Sequence, residues 1–243
     1  MNITKKLSKL IILILLPLIF STSCGGNSSK IPVLMYHTSS EDNPGALTDL
    51  YVKPSEFDKQ IEYMTSNGYT LCTFDDWDNL DNIENPVFIT FDDGYEANYT
   101  EIFPVLKKYN AKITIFLTLN NITAENFTVE MIREMSDSGL VKFESHTINH
   151  LDLTSIYSDE TKLTEELENS KIQIEEITGK SVVAIAYPSG KFNDTVKEKA
   201  REFYKFGIST VWGMHNSDIN NFEIRRFAVG RDTSMNAFIK FLG

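Results

Sequence analysis

Two histidines four residues apart, His146 and His150, follow an apolar run of β type, and two adjacent carboxylates, Asp92 and Asp93, end another such run just before Gly94. A His-x-x-x-His spacing lets either a helical turn or a tight loop aim both imidazoles at one point, about 2.0–2.1 Å from each nitrogen. Two imidazoles and one carboxylate form a three-ligand set that leaves a coordination position for water, the pattern of a catalytic rather than a structural metal. The second carboxylate can then take a proton from that water. Each pair alone is a weak signal, since a histidine pair can decorate a helix face and Asp-Gly commonly marks a turn. Together they predict a divalent metal centre, and with no thiolate in the set Zn²⁺ is the leading ion.

Apolar β-type runs alternate with amphipathic helical stretches from residue 31 to the end of the chain, which predicts a parallel α/β arrangement in one domain, 31–243. Strands are expected at 31–36, 69–73, 86–91, 112–117, 141–144, 181–187, 207–211 and 223–229. Helices are expected at 54–67, 96–109, 128–138, 159–178, 193–206 and 234–242. Seven or eight strands in this length suit a (β/α) barrel or a distorted relative better than a small open sheet. Four strands run into polar groups at their C-terminal ends: Tyr36-His37, Thr90 to Gly94, Ser145 to His150, and Tyr187-Pro188-Ser189-Gly190. In parallel α/β folds these ends share one face, so motifs distant in sequence converge on one mouth. A second Thr-Phe-Asp-Asp string, Thr73 to Asp76, has Trp77 where the first has Gly94 and leads into a short helical stretch; it reads as structural, with Asp75 a candidate helix cap.

The 243-residue chain carries 34 acidic and 23 basic side chains, a net charge of -11, which argues against nucleic acid or an anionic membrane surface as the main partner. Residues 1–23 hold three lysines, no acid and a short apolar core, the composition of an export signal rather than a membrane span. Removing them takes the net charge from -11 to -14. Small residues lead to Cys24, and 24–30 read as a linker. This junction resembles the lipidation site of bacterial lipoproteins, although Ser21 stands where an aliphatic residue is common. The expectation is an exported, lipid-anchored, monomeric protein, with plain secretion as the alternative. Cys72, in an apolar stretch, is expected to fill core.

Thr90-Phe91-Asp92-Asp93-Gly94, His146 to His150 with the trailing Leu151-Asp152-Leu153-Thr154, and Tyr187-Pro188-Ser189-Gly190 resemble the successive motifs of the polysaccharide deacetylases, the NodB-homology or carbohydrate esterase family 4 enzymes. Pro32 to His37 is similar to the opening segment of the branch acting on poly-β-1,6-N-acetylglucosamine. The resemblance implies a deformed (β/α) barrel and metal-dependent hydrolysis of N-acetyl groups on an acetylated polysaccharide. It also implies Asp93, His146 and His150 as metal ligands and Asp92 as base. A non-catalytic carbohydrate-binding envelope protein and an O-acetyl esterase are the alternative readings on the same fold.

An amide leaving group needs an acid, and His37 and His215 are the histidines left over. His37 ends a strand on the expected catalytic face and matches the branch's acid, whereas His215 lies in a polar loop. The Ser189 N–H would face the oxyanion if the turn takes the family's shape. The arginine that many members place ahead of the Tyr-Pro motif is replaced by Ala184-Ile185-Ala186, so Arg225 or Arg226 becomes the candidate to orient Asp92, each also readable as an ordinary ion-pair partner. Tyr187 and Trp212 could line a sugar groove or fill core.

Overall fold

The protein is described by a computed structural model covering residues 30–42, 45–124, 126–216 and 218–243. The expected lipidation site Cys24 and the export segment lie outside the described residues.

The eight expected strands form as β1 (Val33–Tyr36), β2 (Thr70–Cys72), β3 (Pro86–Phe91), β4 (Ile113–Leu117), β5 (Val141–Ser145), β6 (Ala184–Ala186), β7 (Phe206–Trp212) and β8 (Ile224–Ala228). All pair in parallel, and seven of them close a ring in the order β1, β8, β7, β6, β5, β4, β3 and back to β1, with β2 attached beside the start of β3. Around the ring lie α1 (Pro54–Ser66), α2 (Phe103–Tyr109), α3 (Val129–Asp137), α4 (Leu153–Ile156), α5 (Glu160–Thr164), α6 (Ser170–Thr178), α7 (Asp194–Arg201) and α8 (Met235–Leu242). The architecture is the deformed (β/α) barrel that the motifs implied.

Strand alternation divides the apolar residues into two cores. Val33, Phe88, Phe116, Ala184, Ala186, Ile208 and Ile224 fill the barrel, while Leu34, Val87, Ile89, Ile113, Ile115 and Phe143 face the helices. Each helix is set by local chemistry as well as by its apolar stripe: Pro54 stands at the first position of α1, and Thr128, Asn193 and Ser234 cap α3, α7 and α8 through their side chains. Cys72 is buried, as expected, and burial pushes its thiol up to about 11.

One seam explains the deformation. Strands β5 and β6 share a single register pair, Ser145 with Ile185. Side chains replace the missing ladder: the Glu144 carboxylate accepts from the Val183 and Ala184 N–H groups at 2.7 and 2.8 Å. One residue pair further up, His146 Nδ1 meets the Ala186 carbonyl at 2.7 Å.

Candidate active site

The mouth of the barrel gathers the expected residues because their strands end there, and the backbone bends sharply to hold them. Asp93, Thr147, His150 and Ser189 are four of the non-glycine residues with positive φ, at 73°, 69°, 53° and 55°. Such conformations are costly for residues with a Cβ, most of all for a β-branched threonine, and persist only where the surroundings over-determine them. Here they do. Thr118 N–H and the Asn121 side-chain amide both donate to the Asp93 carbonyl, at 3.1 and 3.0 Å. The His146 to His150 segment is a tight loop rather than a helical turn. Ser145 Oγ accepts from the Thr147 N–H, Thr147 Oγ1 accepts from the His150 N–H, and the buried Glu166 carboxylate accepts from the N–H groups of Ile148 and Asn149, each at about 3 Å. Gly94 follows Asp93 at φ 81°, and a Cβ there would come within 2.4 Å of Leu117 Cδ1, so the close turn requires glycine.

Asp93, His146 and His150 converge. Asp93 Oδ1 lies 3.5 Å from His146 Nε2 and 3.6 Å from His150 Nε2, and the three donor atoms sit within 4.8 Å of one another. Tetrahedral ligands about 2.0–2.1 Å from a shared centre stand about 3.4 Å apart, so the residues fit a metal ion of zinc's size. The proton of His146 is placed by its surroundings: Nδ1 donates to the Ala186 carbonyl, leaving the Nε2 lone pair aimed into the cluster. Tyr95 Oη donates to Asp93 Oδ2 at 3.0 Å, which leaves Oδ1 for the ion. Burial lowers the His146 pKa and keeps the ring neutral, the form a ligand needs.

Asp92 occupies a different environment. It is 2% exposed and held by a two-pronged ion pair, Arg226 Nη1 to Oδ1 and Nη2 to Oδ2, both 2.7 Å. Burial alone would raise its pKa, but the Arg226 charge and hydrogen bonds overcome that and hold the carboxyl well below the usual range, with His146 and His37 adding to the effect. Arg226 is itself fixed by donating from Nε to the Ser209 carbonyl at 2.9 Å and from Nη1 to Thr90 Oγ1 at 3.0 Å. Of the two candidate arginines, Arg226 is the one that holds Asp92. Arg225 does not: alternation along β8 turns it to solvent while Arg226 points into the barrel.

Three further expectations are decided. His215 is excluded from the site. It sits in a two-residue strand paired with Lys30–Ile31, fully buried against Trp77, with neither ring nitrogen finding a hydrogen-bond partner among the described residues. Ile31 precedes β1, so this is the end of the barrel away from the mouth. Tyr187 is core rather than groove: its hydroxyl donates to the Phe222 carbonyl at 3.2 Å and occupies the space that Gly207 leaves open. Trp212 is at the rim and 57% exposed. His37 stands at the mouth after β1, its carbonyl accepting from the Asn98 side chain at 3.1 Å, and Ser189 is exposed on the Pro188–Gly190 turn. Sequence reasoning missed Tyr95 and Glu166. Neither shows a spacing signal: Glu166 reaches a loop that the fold brings to it, and Tyr95, two residues from Asp93, is aimed at that carboxylate by the left-handed turn at Asp93 and Gly94.

Two imidazoles and a carboxylate converging at the mouth of a parallel barrel, beside a separate ion-paired carboxylate, form the arrangement a metal-dependent hydrolase would use. The comparisons narrow that class. A family model described as polysaccharide deacetylase matches residues 79–205. A Bacillus subtilis protein carrying the name polysaccharide deacetylase YxkH is 33% identical over 217 residues, covering 86% of this chain and 75% of that one. A Staphylococcus aureus poly-β-1,6-N-acetyl-D-glucosamine N-deacetylase is 29% identical over 200 residues, covering 74% and 68%. The crystal structure of a Bacillus cereus polysaccharide deacetylase superposes with a TM-score of 0.84 at 33% identity, over 89% of this chain and 70% of that one. The chain belongs to the polysaccharide deacetylase family, whose carbohydrate esterase family 4 members are metal-dependent hydrolases.

Proposed function

We propose that this protein removes N-acetyl groups from an extracellular N-acetylglucosamine polymer, using Zn²⁺ held by Asp93, His146 and His150. The observation that carries the reading is the division of labour between two adjacent carboxylates: Asp93 faces two imidazole nitrogens, and Asp92 is locked by Arg226 beside them. The ion, when bound, would polarise the acetamide carbonyl and acidify a water. The chain's own residues do the rest. Asp92 accepts a proton as the water oxygen bonds to the acetyl carbon. Its low pKa makes it a weak resting base, so Arg226 contributes a fixed orientation and an assured negative charge. His37 gives a proton to the nitrogen as the C–N bond breaks, and acetate and a free amine leave. The Ser189 backbone N–H, on its exposed turn, supplies a fixed dipole for the developing oxyanion.

The Pro32 to His37 segment and the Staphylococcus aureus relative favour poly-β-1,6-N-acetylglucosamine as the polymer. The lysine-bearing apolar segment 1–23 and Cys24 favour an exported lipoprotein. Acetate release tests the reaction, measured on oligomers of β-1,6- and β-1,4-linked N-acetylglucosamine and on acetylated xylan, with and without chelator and Zn²⁺ re-addition. Release from the β-1,6 oligomers that chelation abolishes is the expected result. Release only from xylan would make the protein an O-acetyl esterase, and chelator-insensitive release would sink the metal centre. Export is tested by fractionation: Cys24→Ala should move the protein from the membrane fraction to the medium.

A further inference from the structure

Trp212 ends β7 at the mouth of the barrel, in register with Arg226, the residue that locks Asp92. Its indole meets the rings of Phe227 and Phe241 edge-on, both at 5.1 Å and interplanar angles of 87° and 90°. Those two rings stack on each other at 4.7 Å and brace the indole, which stays 57% exposed. An exposed, rigidly supported indole at a catalytic rim is a platform for the apolar face of a pyranose ring. It floors a groove of about 380 Å³ whose other walls are Asp49, Ala228, Gly230, Asp232 and Thr233. Ala228 pairs with Met35, two residues before His37, so the groove borders the strand that delivers the candidate acid. Gly230 permits the close approach of the 45–50 turn, since a Cβ there would lie 2.9 Å from the Asp49 backbone.

The polar walls are of one sign. Asp49 and Asp232 are exposed, and neither makes an ion pair or hydrogen bond among the described residues. Arg231 lies between Gly230 and Asp232, but its guanidinium is turned away, donating to the carbonyls of Ser40 and Glu41. On the Asp93 side of the site, a second groove of about 400 Å³ is lined by Gly94, Tyr95, one carboxylate, Glu96, and three amide residues, Asn120, Asn121 and Asn126. That wall suits a neutral, acetamide-bearing sugar. The Trp212 groove offers two unpaired carboxylates and an aromatic face, both of which attract an ammonium group.

We propose that the Trp212 groove binds a glucosaminium residue, an already deacetylated and therefore cationic sugar of the same glycan. The enzyme then prefers to act next to its own product. This assignment rests on the de-N-acetylase reading and specifies which substrate that site favours.

The test compares fully acetylated N-acetylglucosamine oligomers with the same oligomers carrying one free amine, by KM and kcat at low and at physiological salt, for wild type, Trp212→Ala and Asp49→Asn/Asp232→Asn. Two solvent-exposed charge contacts predict a wild-type KM on the order of 5-fold lower for the aminated oligomer at low salt, with the preference shrinking as salt rises. The double variant should bring the KM ratio near one, and Trp212→Ala should raise KM for both oligomers. A wild type without the preference, or a double variant that keeps it, overturns the proposal. If no oligomer releases acetate, the de-N-acetylase reading fails on its own. Calorimetric titration of glucosamine oligomers into wild type and double variant then decides the groove: equal affinities overturn it, and a loss of about 5-fold or more in the variant sustains it.

Discussion

The chain contains the string Thr-Phe-Asp-Asp twice, at Thr73 to Asp76 just after β2 and at Thr90 to Asp93 across the end of β3, and the two copies have opposite fates. In the first, the Asp76 carboxylate turns back to accept from the Thr73 N–H and hydroxyl at 2.9 and 3.3 Å, starting a 3₁₀ helix over Phe74–Asn82. Thr73 is therefore the N-cap and Asp76, rather than the expected Asp75, completes the capping box. Asp75 instead pairs with Lys142 at 2.6 Å. Phe74 and Trp77 pack against Phe88 and Phe206, the latter the first residue of β7, and close the floor of the barrel. In the second copy, Gly94 lets the chain turn left-handed at Asp93, so no helix starts and neither carboxylate is spent on capping. One carboxylate meets two imidazoles and the other meets Arg226. A motif becomes a site through the residue that follows it and the strand end it occupies.

The largest test of this contrast exchanges the carboxylates for amides. Asp92→Asn should lower kcat by about 10²–10⁴-fold while metal content, read by elemental analysis, stays at wild-type level. Asp75→Asn should leave kcat unchanged. Removing the cationic partners comes next. Arg226→Met leaves a buried, uncompensated carboxylate and should cost about 3–5 kcal/mol in denaturant unfolding, whereas Lys142→Met leaves Asp75 half-exposed to water and the buried Glu144 with its two backbone donors, and should cost about 1–3 kcal/mol. Smaller than the Arg226 effect is that of the turn itself: Gly94→Ala forces a Cβ against Leu117 in a left-handed conformation, for about 1–3 kcal/mol and a loss of bound metal. Unfolding combined with a metal-binding titration checks both. A Gly94→Ala protein of wild-type stability and metal affinity would remove glycine from the explanation.

The subtlest effect concerns the floor. Burial, with Arg225 nearby, lowers the His215 pKa to about 4. The unfolded chain takes up this proton below about pH 6.5, but the folded chain resists until about pH 4, so stability is lost as pH falls between those values. His215→Leu should lower the slope of thermal midpoint against pH across that window by a few degrees and leave the midpoint above pH 7 little altered, because the ring nitrogens have no partners to lose among the described residues. An unchanged slope would show that another group sets the acid sensitivity.

The strands were legible because a buried parallel strand is written as a contiguous apolar run, as in Val87 to Phe91, and the metal ligands because their polar groups interrupt such runs at the end. The arginine was narrowed to two neighbours and no further. Strand alternation says that one of Arg225 and Arg226 faces inward, but the phase is set by how β8 registers against β1 and β7. Tyr187 fills core because Gly207, on the neighbouring strand, leaves a space of its shape.

By itself, the sequence determined the order of strands and helices, the four residues Asp92, Asp93, His146 and His150, and the place of each at a strand end, since these depend on periodicity and short spacing. Only the tertiary structure decided which arginine holds Asp92, that His215 lies on the floor, and that Tyr95 and Glu166 brace the ligands. Those contacts join residues up to 186 positions apart (Lys30 with Asn216), and, apart from the short Tyr95–Asp93 bond, their partners are chosen by barrel closure and strand register rather than by any local preference of the chain.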